Sequence, residues 1–168
     1  ERAREEGQAG GPSRARAVLG IALNALGRAV RRAGDLRGAR DVYEESVVNA
    51  REIGHRHSLS AAFCCLGEVA RITGDVRAAR AYYEQAIEAR GRHVRSITNA
   101  VPLANLGGLA PEEGDYASAS DYYRESLAIT AALGDTSSTA VALDGLAAVA
   151  LAAGGAEEGP LLTGAAGA

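Results

Sequence analysis

The sequence has no lysine, no methionine, no tryptophan, a single phenylalanine and only two cysteines. Each shortage excludes something. All 18 basic residues are arginine and the net charge is -3, so the basic surplus of a general nucleic-acid binder is missing. Helical-repeat RNA readers stack bases on aromatics, and these are too scarce here to serve. Cys64 and Cys65 are adjacent. Neighbours on a helix point about 100° apart, which is poor disulfide geometry, and two free thiols fit a cytoplasmic protein. No uninterrupted apolar run reaches the ~20 residues of a bilayer span, so no membrane is expected as a partner. No signal peptide opens the chain, and the lack of methionine suggests a segment cut from a longer protein. The motifs GxxxxGK[ST], GxSxG and HExxH are all missing, so neither an enzyme nor a cofactor is expected. No run of alternating β-branched residues argues for strands.

What is present is a repeat. AGDLRGARDVYEESV at 33–47 returns as TGDVRAARAYYEQAI at 73–87 and EGDYASASDYYRESL at 113–127, each 40 residues on. Leu26, Leu66, Leu106 and Leu146 keep this register, as do Gly34, Gly74, Gly114 and Gly154. Gly27, Gly67 and Gly107 share a position, and so do Tyr43, Tyr83 and Tyr123. Asp35, Asp75 and Asp115 follow the turn glycines, but Gly155 breaks that series.

The positions read as helix signals. A glycine in the left-handed conformation ends a helix, and the following Asp caps the next one. Apolar residues at helical spacing precede each Gly-Asp (Leu19, Leu23, Leu26, Val30) and follow it (Leu36, Ala39, Tyr43, Val47). Each unit is therefore a helix hairpin that cannot bury its face alone. Residues 1–12 read as a flexible segment or the tail of a preceding repeat. Residues 13–155 form the array, with repeats at about 16–55, 56–95, 96–135 and 136–155. Residues 156–168 read as a degenerate cap, with a short helix near Leu161 and Leu162. Pro111 should end or kink its helix near Ala110.

The Leu-Gly of the first helix, the Gly-Asp turn and the Ala and Tyr of the second resemble the tetratricopeptide repeat (TPR). LGRAVRRAGDLRGARDVYEESV carries the likeness most fully. The resemblance implies an all-α fold, a right-handed α-solenoid of antiparallel hairpins with three full repeats and a degenerate fourth. The usual period is about 34. The longer period here resembles the C-terminal repeat arms of bacterial regulators of the AfsR and LuxR types. The implied function is protein or peptide binding, as the sensor or scaffold arm of a signalling regulator. The alternatives are a signal-peptide sensor of the Rap and PlcR types, or an accessory subunit of an enzyme.

By that resemblance, first helices line a concave groove. The groove residues are then Asn24, Arg28, Arg31 and Arg32 of the first unit, and Cys64, Glu68 and Arg71 of the second. Asn24 occupies the place of an asparagine that grips a peptide backbone in the family. The groove starts basic and ends small and apolar in the fourth unit, at Val141, Asp144, Ala148, Leu151 and Ala152, which suits a partner with an acidic end. The Ala-rich last repeat is also expected to support self-association. His55, His57 and His93 sit in inter-repeat loops with too few ligands for a metal, and no metal site is expected. No neighbour evident in the sequence lowers the pKa of Cys64 or Cys65, so both read as small packing residues.

Overall fold

Each Gly-Asp pair is a helix stop followed at once by a helix start. At Gly34, φ is 91°, its N–H reaches Arg31 O at 3.0 Å, and Asp35 N–H closes the turn on Val30 O at 3.3 Å. Asp35 Oδ1 then accepts from Gly38 N–H at 2.8 Å, and Asp75, Asp115 and Asp135 cap their helices in the same way. In the computed structural model the backbone is described for residues 2–92 and 94–163, and side chains for 14–92, 94–112 and 114–154. The described residues form seven α-helices and no strand. They are α1 (Arg2–Arg32), α2 (Leu36–Glu52), α3 (Arg56–Ile72), α4 (Val76–Arg90), α5 (Ile97–Leu109), α6 (Tyr116–Leu133) and α7 (Thr136–Thr163).

At both ends a helix runs past the boundary expected from the sequence. Helix α1 runs unbroken through GQAGGPS, across the boundary at residue 12 between the flexible segment or preceding-repeat tail and the array. A glycine ends a helix only where it turns left-handed, and no capping Asp follows these. At the other end the expected short helix near Leu161 and Leu162 is the continuation of α7, which has no turn at Gly154. Gly155 stands where the other units carry a capping Asp, so nothing starts a new helix there. Residues 164–168 lie outside the described ones. The segment Thr136–Gly154 is also long and apolar enough to cross a membrane, by length and composition alone. Asp144 and Gly145 divide it, so it is not an uninterrupted apolar run.

Pro111 acts as expected: α5 stops at Leu109 and a 3-10 turn, Ala110–Glu113, carries the chain to Gly114. The junction after α4 is irregular. Gly91, at φ 95° and ψ 121°, ends α4, and Ser96 Oγ caps α5 by accepting from Thr98 N–H at 3.3 Å. Here the chain divides into two compact units, Glu1–Val94 and Arg95–Ala168.

In the first unit, Ala39, Tyr43 and Val47 of α2 pack with Ala62, Phe63, Leu66 and Val69 of α3. Burying one such side chain fully contributes about 1.5–3 kcal/mol. The ring of Tyr43 packs closely against Gly27, and that of Tyr83 against Gly67. In the second unit Tyr123 lies between Gly107 and Gly145.

A buried hydroxyl bolts each hairpin. Ser46 Oγ donates to Gly20 O at 3.3 Å, and Ser126 Oγ to Ala100 O at 2.9 Å. The α3–α4 hairpin makes the same bond in reverse: Ser60 of the first helix donates to Ala86 O of the second at 2.7 Å. Positions 20, 60 and 100 read Gly, Ser and Ala, while 46, 86 and 126 read Ser, Ala and Ser. One serine per hairpin suffices, on either helix. Ser60→Ala should therefore cost about 1 kcal/mol, the net worth of a buried hydrogen bond. Adding Ala86→Ser should restore most of it, as read by urea midpoints of the two variants. No recovery in the double variant would show that the bond's direction matters.

Candidate functional site

The first unit brings the sequence-predicted groove residues onto neighbouring faces of α1 and α3. Asn24, Arg28 and Arg31 recur at one-turn and two-turn spacing on α1, and Cys64, Glu68 and Arg71 do so on α3. Their environments differ sharply.

Asn24 is 4% exposed, and its Nδ2 donates to Ser58 O at 3.1 Å. It fastens α1 to the start of α3, and its Oδ1 is buried without a hydrogen-bond partner. Asn49 Nδ2 does similar work, donating to Arg16 O at 2.9 Å.

Glu68 is the hub of the face. It accepts two hydrogen bonds from Arg71, at 3.1 and 2.9 Å. Tyr83 Oη donates to it at 3.3 Å, and Arg31 Nη1 stands 4.0 Å away. The Arg71 hydrogen bonds hold the Glu68 carboxyl below its ordinary range, against burial, with the charges of Arg71 and Arg31 adding to the effect. The spacing of Glu68 and Arg71 shows in the sequence. The approach of Arg31 and Tyr83 from other helices does not.

The cysteines lie beneath. Burial pushes the Cys64 thiol up, and the neighbouring Cys65 and Glu68 push it further. Burial also raises Cys65, while the Tyr43 hydroxyl and the Arg28 and Arg31 guanidiniums pull it down without prevailing. The sequence shows no such neighbours. They exist, yet desolvation outweighs them and both thiols stay protonated at neutral pH. Tyr43 is wholly buried and its hydroxyl is pushed up to about 12, by burial first and then by Cys65.

The face therefore sets four guanidiniums, Arg28, Arg31, Arg32 and Arg71, against one carboxylate, Glu68. Arg28 and Arg32 are exposed. Ile21 and Ile72, 54% and 43% exposed, add apolar surface to the same two helices. The second unit has a recess of its own, lined by Ala104 and Asn105 of α5, Ser126 of α6 and Ser138 of α7, with Val101 and Val141 at its sides. Asp144, Ala148, Leu151 and Ala152 of α7 are all exposed.

The loop histidines have local work. His55 Nδ1 caps α3, lying 3.4 Å from Ser58 N and 2.8 Å from Ser58 Oγ. The rings of His55 and His57 stand 6.3 Å apart, and burial and Arg90 hold His57 below its ordinary pKa. His93 lies outside the described residues. Among the described residues, no three His, Cys, Asp or Glu gather to hold a metal.

Known structures share the fold. BtubC (BKLC) from P. vanneervenii superposes with a TM-score of 0.71 at 23% identity, over 83% of this chain and 58% of that one. The chain thus spans well under two thirds of BtubC. TPR-like repeats assigned to a kinesin light chain of Podosopora anserina give a TM-score of 0.67 at 20% identity, over 88% of this chain and 70% of that one. At such identities the likeness is one of fold, an all-α solenoid of antiparallel helix hairpins. No curated protein sequence matches. The sequence profile of the MalT-like TPR region matches residues 12–162, the greater part of the chain, and the chain belongs to that family.

Proposed function

We propose that this chain is a non-catalytic interaction arm, and that the α1–α3 face of its first unit docks an acidic segment of a protein partner. The carrying observation is the surplus of guanidiniums on that face in a chain whose net charge is -3. Glu68 neutralises only part of it, through Arg71 and Arg31. Arg28 and Arg32 remain exposed for bidentate contacts with carboxylates. Ile21 and Ile72 give an apolar residue of the partner something to cover. Asn24 does not grip the partner in this reading, since it is buried and already committed to Ser58. The 40-residue period and the MalT-like TPR family support a scaffold or sensor arm within a larger signalling regulator. The two unpaired thiols favour a cytoplasmic one.

The test uses a fluorescent Asp/Glu-rich peptide with one Leu, and a control peptide with Lys at the acidic positions. The acidic peptide should bind the chain more tightly, and its affinity should fall with salt. Arg28→Glu with Arg32→Glu should weaken it by about tenfold or more, with helicity unchanged by circular dichroism. Equal affinity for both peptides, or unchanged binding by the double variant, would remove the assignment.

A further inference from the structure

Helix α1 carries a second face on which no described residue packs closely. Ala15, Leu19, Ala22, Leu26, Ala29 and Ala33 alternate four and three residues apart, the 3.5-residue period of a coiled-coil seam. All six are exposed, Leu19 by 45% and Leu26 by 51%. The flanking Leu23, Gly27 and Val30 turn inward toward α2, so the seam is not part of the hairpin's own core.

The repeat shows what this seam does when a helix is at hand. One period on, Ala62, Leu66 and Val69 of α3 hold the positions of Ala22, Leu26 and Ala29, and they are 0%, 2% and 1% exposed. What covers them is α2, through Ala39, Tyr43 and Val47. The positions are thus helix-docking positions, bare on α1.

We infer that the seam of α1 pairs with the same seam of a second copy, antiparallel, about a two-fold axis near residue 24. The seam is self-complementary in that direction alone. Leu19 then meets Ala29 of the second copy, Ala22 meets Leu26, and Ala15 meets Ala33. Each leucine faces an alanine, the large-to-small alternation that lets helices approach closely and interdigitate. A parallel pairing would set Leu on Leu and Ala on Ala. An isologous contact of this kind closes as a dimer and leaves no open end for fibre growth. The seam is about 28 Å long, and such a pair buries on the order of 1,000 Å² in total, at the lower edge of specific interfaces. The dimer is therefore a concentration-dependent one. Its face is separate from that of the acidic segment, so either assignment stands without the other.

Sedimentation equilibrium of the chain up to about 100 μM reads the association directly. The expected result is a reversible monomer–dimer equilibrium, lost in Leu26→Glu and kept in Leu151→Glu. Leu26 is half exposed, so its replacement should leave the fold intact, which circular dichroism checks. A monomer throughout the range overturns the inference. Loss of the dimer in Leu151→Glu alone assigns it to α7, and loss in both variants assigns it to an α1–α7 contact. Either also overturns the antiparallel α1 pair. So does a monomer that captures a synthetic peptide of residues 35–53, the helix that covers the equivalent seam of α3.

Discussion

Gly67→Ala should destabilise the first unit by about 1–3 kcal/mol, and should cost nothing once Tyr83 is alanine. A β-carbon at Gly67 would stand 2.5 Å from Tyr83 Cε1 and 2.7 Å from Cδ1, well inside contact distance. Tyr83 has no room to retreat, because it is wholly buried and its hydroxyl is bonded to Glu68. Overpacking against a fixed ring forces α3 and α4 apart. Tyr83→Ala alone should cost about 3–5 kcal/mol, the usual loss for a buried aromatic. In that background the clash is gone, and alanine exceeds glycine in helix propensity by about 1 kcal/mol. The second substitution should then be neutral or stabilising. Urea unfolding of the four species closes the cycle, and the coupling should exceed 1 kcal/mol in size, with the sign set by the ring. Equal cost of Gly67→Ala in both backgrounds would mean that the glycine serves something other than the approach of the tyrosine.

The two series behind that pairing were legible in the sequence, since Gly27, Gly67 and Gly107 recur at one period and so do Tyr43, Tyr83 and Tyr123, but that each ring meets its glycine was not. The Gly-Asp turns were legible for the same reason. A left-handed glycine and a capping carboxylate are local devices, and local devices leave a local signature. The proline at 111 broke α5 where its missing N–H required. Other features depend on what lies across from a residue, which no window of sequence carries. Asn24 has the composition of a ligand grip, yet it is consumed in fastening α1 to α3. Glu68 looks like one charge among several on an exposed face. It becomes a hub only because Arg31 and Tyr83 reach it from other helices. The cysteines looked chemically isolated, yet Arg28 and Arg31 stand beside Cys65, and burial outweighs their pull on the thiol. At both ends a helix runs past the expected boundary, α1 across residue 12 and α7 across residue 155. Neither Gly10–Gly11 nor Gly154–Gly155 is followed by a capping Asp, and the helix continues through both.

Repeat equivalence also fails to fix energy, and one pair of leucines measures the gap. Leu26 and Leu66 hold the same place in successive units. Leu66 is 2% exposed, within the cluster that joins α2 to α3, whereas Leu26 is 51% exposed on the bare seam of α1. Leu66→Ala removes buried methyl groups and leaves a cavity between two hairpins, at a cost of about 2–5 kcal/mol. Leu26→Ala in dilute solution opens no cavity and should cost less than about 0.5 kcal/mol. The two variants therefore separate what a repeat residue contributes through its own helix from what it contributes through its neighbour. Near-equal losses in dilute solution would mean that Leu26 is covered in the free chain, and the seam would no longer be available to a partner. If Leu26→Ala is silent when dilute but lowers the unfolding midpoint as protein concentration rises, the difference is the neighbour's share. In a solenoid the stability of each unit is an intrinsic part plus neighbour terms of that kind. The seam of α1 is then an unfilled half of an interface: α2 fills its equivalent on α3, and a second copy of the seam fills it on α1.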